Sequence, residues 1–219
     1  MPGPVEAGGV TAVSRTTRRT LSEIGATCLK AARGAGCPWG LAEEAAMAAR
    51  LLSAHGLPGA EILAGTLAAP RACGCDGRAD APACGIAQAA QVSDRLGDIA
   101  DGRPMTLPPT VGAPRIAGAL ILGARRQGTA LRLRWNGGAI TCAPDGLLTE
   151  GATPSARPVT GLVAERCDRP PRVTAPAPSG RTIDMAAWNA LDTLAARTLV
   201  PETAQSRAAG AGPGDADTD

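Results

Sequence analysis

The chain contains no phenylalanine and no tyrosine, and Trp39, Trp135 and Trp188 supply all of its aromatic bulk. Whatever it folds into must therefore be filled with Leu, Ile, Val and Ala around three indole rings. A fully buried aliphatic side chain contributes about 1.5–3 kcal/mol, and alanine much less. A core of this kind gives unexceptional stability, and dimerisation is one way for it to bury more surface. Lys30 is the sole lysine, every other basic residue being arginine. Phe, Tyr and Lys use AT-rich codons, so a GC-biased coding sequence accounts for the pattern. The same bias raises the chance rate of Gly-, Pro- and Arg-containing motifs, which are discounted accordingly.

With 219 residues, 44% hydrophobic content and a net charge of +2, one modest domain with tails is expected. No apolar run approaches the ~20 residues that span a bilayer. Arg15, Arg18 and Arg19 are not followed by an apolar segment, so no secretory leader is expected and the location is read as cytoplasmic. Seven cysteines, an odd number in a chain of this length, read as reduced thiols rather than a disulfide framework. The arginines are scattered, which argues against specific nucleic-acid binding. There is no phosphate loop, dinucleotide fingerprint or nucleophile elbow, and no motif names a cofactor.

The pattern along the chain predicts an α+β domain over 20–202: an N-terminal helical hairpin or bundle, central antiparallel hairpins and a C-terminal helix. Flanking it are a disordered arm over 1–19 and a flexible tail over 203–219. Thr20 or Ser22 can cap a helix carrying Leu21, Ile24, Cys28 and Leu29 at helical spacing, and Glu23 completes a capping box with Thr20. Gly34 and Gly36 end that helix, and Pro38 starts the next. The second helix buries Leu41, Ala45, Ala48 and Leu52 and runs to about His55. After Gly56, a shorter helical piece carries Ile62, Leu63 and Leu67. The Pro-, Gly- and Cys-rich segment 69–85 reads as a loop insertion. Residues 87–99 are expected to form a short helix, and Ile116 to Leu122 a strand or short helix. Leu131 to Trp135 alternates like a half-buried strand, and Asn136-Gly137 turns it back on Ile140 to Cys142. A strand at Val159 to Val163 and a helix from Thr182 to about Leu199 complete the reading. Without alternating βα units, a Rossmann sheet is not expected.

One stretch concentrates groups able to hold a charged ligand: Arg33-Gly34-Ala35-Gly36-Cys37-Pro38-Trp39-Gly40-Leu41-Ala42-Glu43-Glu44-Ala45. Its Arg-Gly-Ala-Gly and Trp-Gly-Leu-Ala-Glu-Glu-Ala pieces resemble the signature of an uncharacterised bacterial family, a domain of unknown function. The ending Arg197-Thr198-Leu199-Val200-Pro201-Glu202, with Ser206-Arg207 and Gly210-Ala211-Gly212, is similar to that family's C-terminal pattern. The resemblance implies that most of residues 21–215 belong to one family with a shared site. It supplies no activity. Two departures from the pattern are Cys37 and Leu199, where the resemblance implies aromatic residues, and the Cys73 to Cys84 insert is foreign to it.

Chemically, backbone amides from Gly34 to Gly36 ahead of a helix N-terminus can cradle an anion, and Arg33 can add a bidentate contact to carboxylate or phosphate. The plainer reading is a glycine C-cap with Arg33 solvated. Glu44 lies closer to the buried stripe of its helix than Glu43, which makes it the candidate acid/base or amine anchor; Glu43 reads as a surface or partner-facing charge. Helix-start electrostatics is the plainer account of both. Trp39 reads as a packing anchor between helices, with ligand stacking as the other reading. Arg207, with Gly210 to Gly212, is placed to close over a ligand. Cys73, Cys75 and Cys84 lack the spacing of a zinc knuckle, so no metal site is assigned. Cys37, at a helix N-terminus beside Arg33, has the setting of a low-pKa thiol. His55 falls ~24 Å away along a 16-residue helix, which excludes a Cys–His nucleophile. Two functions follow. One is binding or conversion of a small anionic metabolite at the Arg33–Glu44 motif. The other is a non-catalytic assembly protein whose helix pair meets a second copy or a partner protein.

Overall fold

The computed structural model describes residues 15–69, 82–152, 155–177 and 180–199. Strand β1 (Thr16–Arg19) leads into α1 (Leu21–Gly34), α2 (Trp39–Ala54) and α3 (Gly59–Ala68). After β2 (Ala83–Cys84) come α4 (Gly85–Asp94) and α5 (Leu96–Ala100). Strands β3 (Met105–Leu107) and β4 (Thr110–Val111) precede a single 3-10 turn at Ala113–Arg115 and helix α6 (Ile116–Gln127). The chain then runs through β5 (Leu131–Trp135), β6 (Gly138–Ala143), β7 (Gly146–Gly151), β8 (Leu162–Arg166) and β9 (Arg181–Asp184) to α7 (Met185–Ala196). The fold is α+β.

Local chemistry explains the N-terminal helices. The Glu23 amide donates to Thr20 Oγ1 at 3.2 Å, and Glu23 Oε2 accepts from the Thr20 amide at 2.8 Å, closing the capping box. At the other end Gly36 adopts φ +92°. Its amide donates to the Arg33 carbonyl at 2.9 Å, and the Cys37 amide to Ala32 at 3.0 Å, the paired bonds of a Schellman cap.

The main sheet is antiparallel, in the order β3-β8-β5-β6-β7. The Asn136-Gly137 turn sets the β5–β6 register, pairing Leu131 with Cys142 and Leu133 with Ile140. Leu131, Leu133 and Trp135 point into the core, while Arg132 and Arg134 face out to Glu150 at 2.7 Å and Glu165 at 3.1 Å. Helix α6 packs against β5 and β6, and with α5 and Leu51 and Leu52 it completes one apolar cluster. A second cluster is formed by α1, α2, α3 and α7, around Ile24, Leu63, Trp188 and Leu191. Helix α2 serves both, which is why it is the most thoroughly alanine-lined element: small side chains let it be packed on several sides.

Several boundaries differ from the sequence reading. Residues 16–19, expected within a disordered arm, form a strand whose Thr16 pairs with Asp184 and Arg19 with Arg181. β1 is wholly polar and β9 carries a single apolar residue, Ile183, so no alternation betrays them; the ladder and the burial of Ile183 in the second cluster hold them. The predicted C-terminal helix therefore starts later, at Met185, where the Asp184 side chain accepts from the Ala187 amide at 3.0 Å, and it ends at Ala196. The expected 87–99 helix is two, α4 and α5. Ile116 to Leu122 is helical and continues to Gln127. Strand β8 begins at Leu162, and Val159 forms only an isolated bridge to Thr110. Strand β7 had no counterpart in the sequence reading. The tail over 203–219, the arm up to residue 14 and most of the 69–85 insertion lie outside the described residues.

Candidate functional site

The Arg33–Glu44 motif is the joint between α1 and α2. Its loop amides are occupied: those of Ala35, Gly36 and Cys37 donate to the carbonyls of Ala31, Arg33 and Ala32. Gly34 is packed against α7. The anion cradle expected from these amides is therefore closed by the cap that ends α1. Arg33 is exposed; its Nη1 donates to the Cys37 carbonyl at 2.6 Å and its guanidinium lies 5.5 Å from the Trp39 ring centroid. Trp39 is 59% exposed and donates from Nε1 to Glu43 Oε1 at 2.9 Å. It stands on the surface rather than between helices. Arg33, Trp39 and Glu43 thus form one surface chain of contacts.

Glu44 faces elsewhere. It lines a shallow groove with Met47 and Ala48 of α2, Ala89 and Ser93 of α4, and Gly118, Ala119 and Leu122 of α6. Partial burial, with Asp94 nearby, raises its carboxyl above the usual range. The groove has a volume of about 30 Å³, room for a water or two rather than a metabolite. The structure separates Glu44 from Arg33: Arg33 contacts Cys37 and Trp39 at the α1–α2 joint, whereas Glu44 lines the groove between α2, α4 and α6.

A residue outside the sequence-derived set is the most unusual group in the molecule. Arg115 ends the 3-10 turn before α6 and is fully buried. Its Nη2 donates to the Ala45 carbonyl of α2, while Nε and Nη1 have no hydrogen-bond partner. Among the described residues no carboxylate forms an ion pair with it. Burial pushes its pKa down to about 10, with the Cys28 and Cys84 thiols opposing, so it is a cation at neutral pH. Burial also pushes Cys28 up to about 12; Arg115 opposes the rise and Glu61 adds to it. Glu61 itself has a buried Oε2 with no partner. Elements α1, α2, β2 and the turn before α6 thus bring Cys28, Ala45, Cys84 and Arg115 into one neighbourhood, with Glu61 of α3 near Cys28. An unpaired buried guanidinium costs the fold several kcal/mol, which marks the place as more than packing.

Two expectations about cysteine change. Cys37 is buried and disulfide-bonded, so it is not the reduced low-pKa thiol its position suggested. Cys28, Cys84, Cys142 and Cys167 are free. Cys73, Cys75, Arg207 and Gly210 to Gly212 also lie outside them. Among the described residues no three His, Cys, Asp or Glu side chains are grouped to hold a metal, and no helix is long and apolar enough to cross a membrane.

Residues 19–99 match the model of a family described as "Protein of unknown function (DUF3726)". The match takes in α1 to α4 and ends within α5, so it includes the Arg33–Ala45 motif but stops short of the C-terminal pattern and of Arg115. No curated protein and no solved structure matches the chain.

Proposed function

We propose that this protein binds a small anion, a carboxylate or phosphate group, with Arg115 as its counter-charge. The observation that carries this reading is a fully buried guanidinium with two of its three nitrogens unpartnered. Buried polar groups are nearly always satisfied, and an orphaned charged donor calls for a water or an ion. A compact anion answers both the missing acceptors and the missing charge. Cys84, half-buried, is the outermost member of the group. The anion's seat is thus moved from the Arg33 loop, whose amides serve the helix cap, to the interior face of the same α1–α2–α3 unit.

The test is a thermal-shift series on the full chain with inorganic phosphate, acetate and succinate, run on wild type, Arg115→Met and Arg33→Ala. One of these anions should raise the midpoint of wild type and of Arg33→Ala but not of Arg115→Met. General salt stabilisation acts on all three alike and is subtracted by the Arg115→Met arm. Equal shifts in all three proteins, or a response lost only in Arg33→Ala, would overturn the proposal.

A further inference from the structure

We propose that Cys84 is the nucleophile of the anion seat, and that the seat takes a small carboxylate carrying an electrophilic carbon, to which the Cys84 sulfur bonds. The inference rests on Arg115 as the anion's counter-charge and adds a reaction to it.

Backbone packing brings the two residues together. Strand β2 runs parallel to β4, with Cys84 opposite Val111, four residues ahead of Arg115. Gly85 fits tightly against the end of β4. A Cβ on it would stand 2.5 Å from the Gly112 carbonyl oxygen and 2.7 Å from that of Val111. Neither obstacle is a side chain that can rotate away, so the start of α4 is clamped to the strand that feeds the turn ending at Arg115. Cys84 acts on the Arg115 charge across this junction. It is also the N-cap of α4, and its side chain makes no capping hydrogen bond, which leaves the sulfur without a structural task there. The first turn of a ten-residue helix and a guanidinium with unpartnered Nε and Nη1 thus both present positive charge to one thiol.

Access separates Cys84 from the other thiols. Cys28 shares Arg115 but is fully buried, and burial pushes its pKa up to about 12; burial raises Cys142 as well. Cys37 is disulfide-bonded. Cys84 and Cys167 are free and half-buried, but Arg166, beside Cys167 in the chain, is paired with Asp168 at 2.8 Å. Among the described residues Cys84 is therefore the free thiol with both an approach from outside and an unsatisfied cation. A carboxylate that accepts from the two empty donor positions of Arg115 holds the rest of its molecule near the Cys84 sulfur. The thiol releases its proton to water and the sulfur lone pair forms a C–S bond. The leaving group departs with the electrons of the bond that breaks.

The test applies iodoacetate and its neutral analogue iodoacetamide to the full chain near neutral pH, with labelling at Cys84 and Cys167 quantified by peptide mass spectrometry. Both reagents lose iodide to the attacking sulfur and differ in the carboxylate, so the ratio of their rates reports the Arg115 contact. Cys167 calibrates that ratio in the same tube. The iodoacetate-to-iodoacetamide ratio at Cys84 should exceed that at Cys167 by about tenfold, the worth of one charge-assisted contact. Acetate, a carboxylate with no leaving group, should slow the iodoacetate reaction at Cys84 and not at Cys167, a competition that needs no variant. Arg115→Met should bring the Cys84 ratio down to that of Cys167. Equal ratios at the two cysteines, a raised ratio that survives Arg115→Met, or labelling that acetate leaves unchanged would each overturn the inference. The wild-type thermal shift with acetate or phosphate keeps the two proposals apart. A shift beside equal labelling ratios retains the anion seat and removes the nucleophile, whereas no shift with either anion removes both.

Discussion

Gly34 of α1 lies so close to Leu194 of α7 that a Cβ on residue 34 would stand 1.8 Å from the Leu194 carbonyl oxygen. The obstacle is backbone, which cannot rotate away as a side-chain tip does. Gly34→Ala must therefore push the two helices apart, at a cost of about 1–3 kcal/mol in urea denaturation. The contact also gives the first glycine of the motif a packing role that needs no ligand. A variant as stable as wild type would show that α1 and α7 do not cross at this point.

Gly36, two residues on, is constrained differently. Nothing lies within 4 Å of where its Cβ would be, yet its φ is +92°. Gly36→Ala should cost about 1–2 kcal/mol through backbone strain alone. Because no neighbour is displaced, Gly36→Asn should recover part of that loss, asparagine being the side chain that best tolerates the left-handed region. The same rescue should fail at Gly34, and parallel denaturation curves of the four variants check it.

What the sequence made legible here was local. The Thr20–Glu23 box, the glycine cap and the Asn136-Gly137 turn each act through neighbours a few residues away, so α1, α2 and the β5–β6 hairpin could be placed from spacing. The β1–β9 ladder joins residues 16 and 184, and neither strand alternates. The run Ile116 to Leu122 is apolar throughout, and a continuous apolar run does not distinguish helix from buried strand. The site divides on the same line. Arg-Gly-Ala-Gly reads equally as cap or cradle until the acceptors of its amides are known. Arg115 shows nothing in sequence of its burial, which is produced by four elements converging from 28 to 115.

His55 gives the fold a handle on pH. Burial holds its imidazole below the ordinary pKa, with the Thr174 backbone opposing and Arg125 adding to the shift. The unfolded chain takes up this proton near pH 6.5, before the native state does. Stability from this residue is thus fully present above about pH 6.5 and is lost as pH falls through the lower native value. His55→Gln should flatten the thermal midpoint between pH 7 and pH 5 relative to wild type. If the two profiles run parallel, His55 titrates alike in both states.

Arg115→Met offers a stability readout that does not depend on finding the ligand. Methionine fills much of the same volume without a charge, and its flexible chain adapts to irregular space. Removing a buried charge that lacks a partner relieves desolvation without breaking an ion pair, and comparable replacements of buried ionic groups are neutral or stabilising by about 1–4 kcal/mol. In dialysed protein in anion-poor buffer, Arg115→Met should unfold at an equal or higher urea concentration than wild type. Arg115→Ala should fall below both, because it leaves a cavity beside Ala45 and Cys28. A stabilised Met variant that no longer responds to anions would mean that the native arginine is kept for binding at the expense of stability. A Met variant destabilised by several kcal/mol in anion-free conditions would instead make Arg115 a satisfied structural residue, and the proposed anion seat would fall with it.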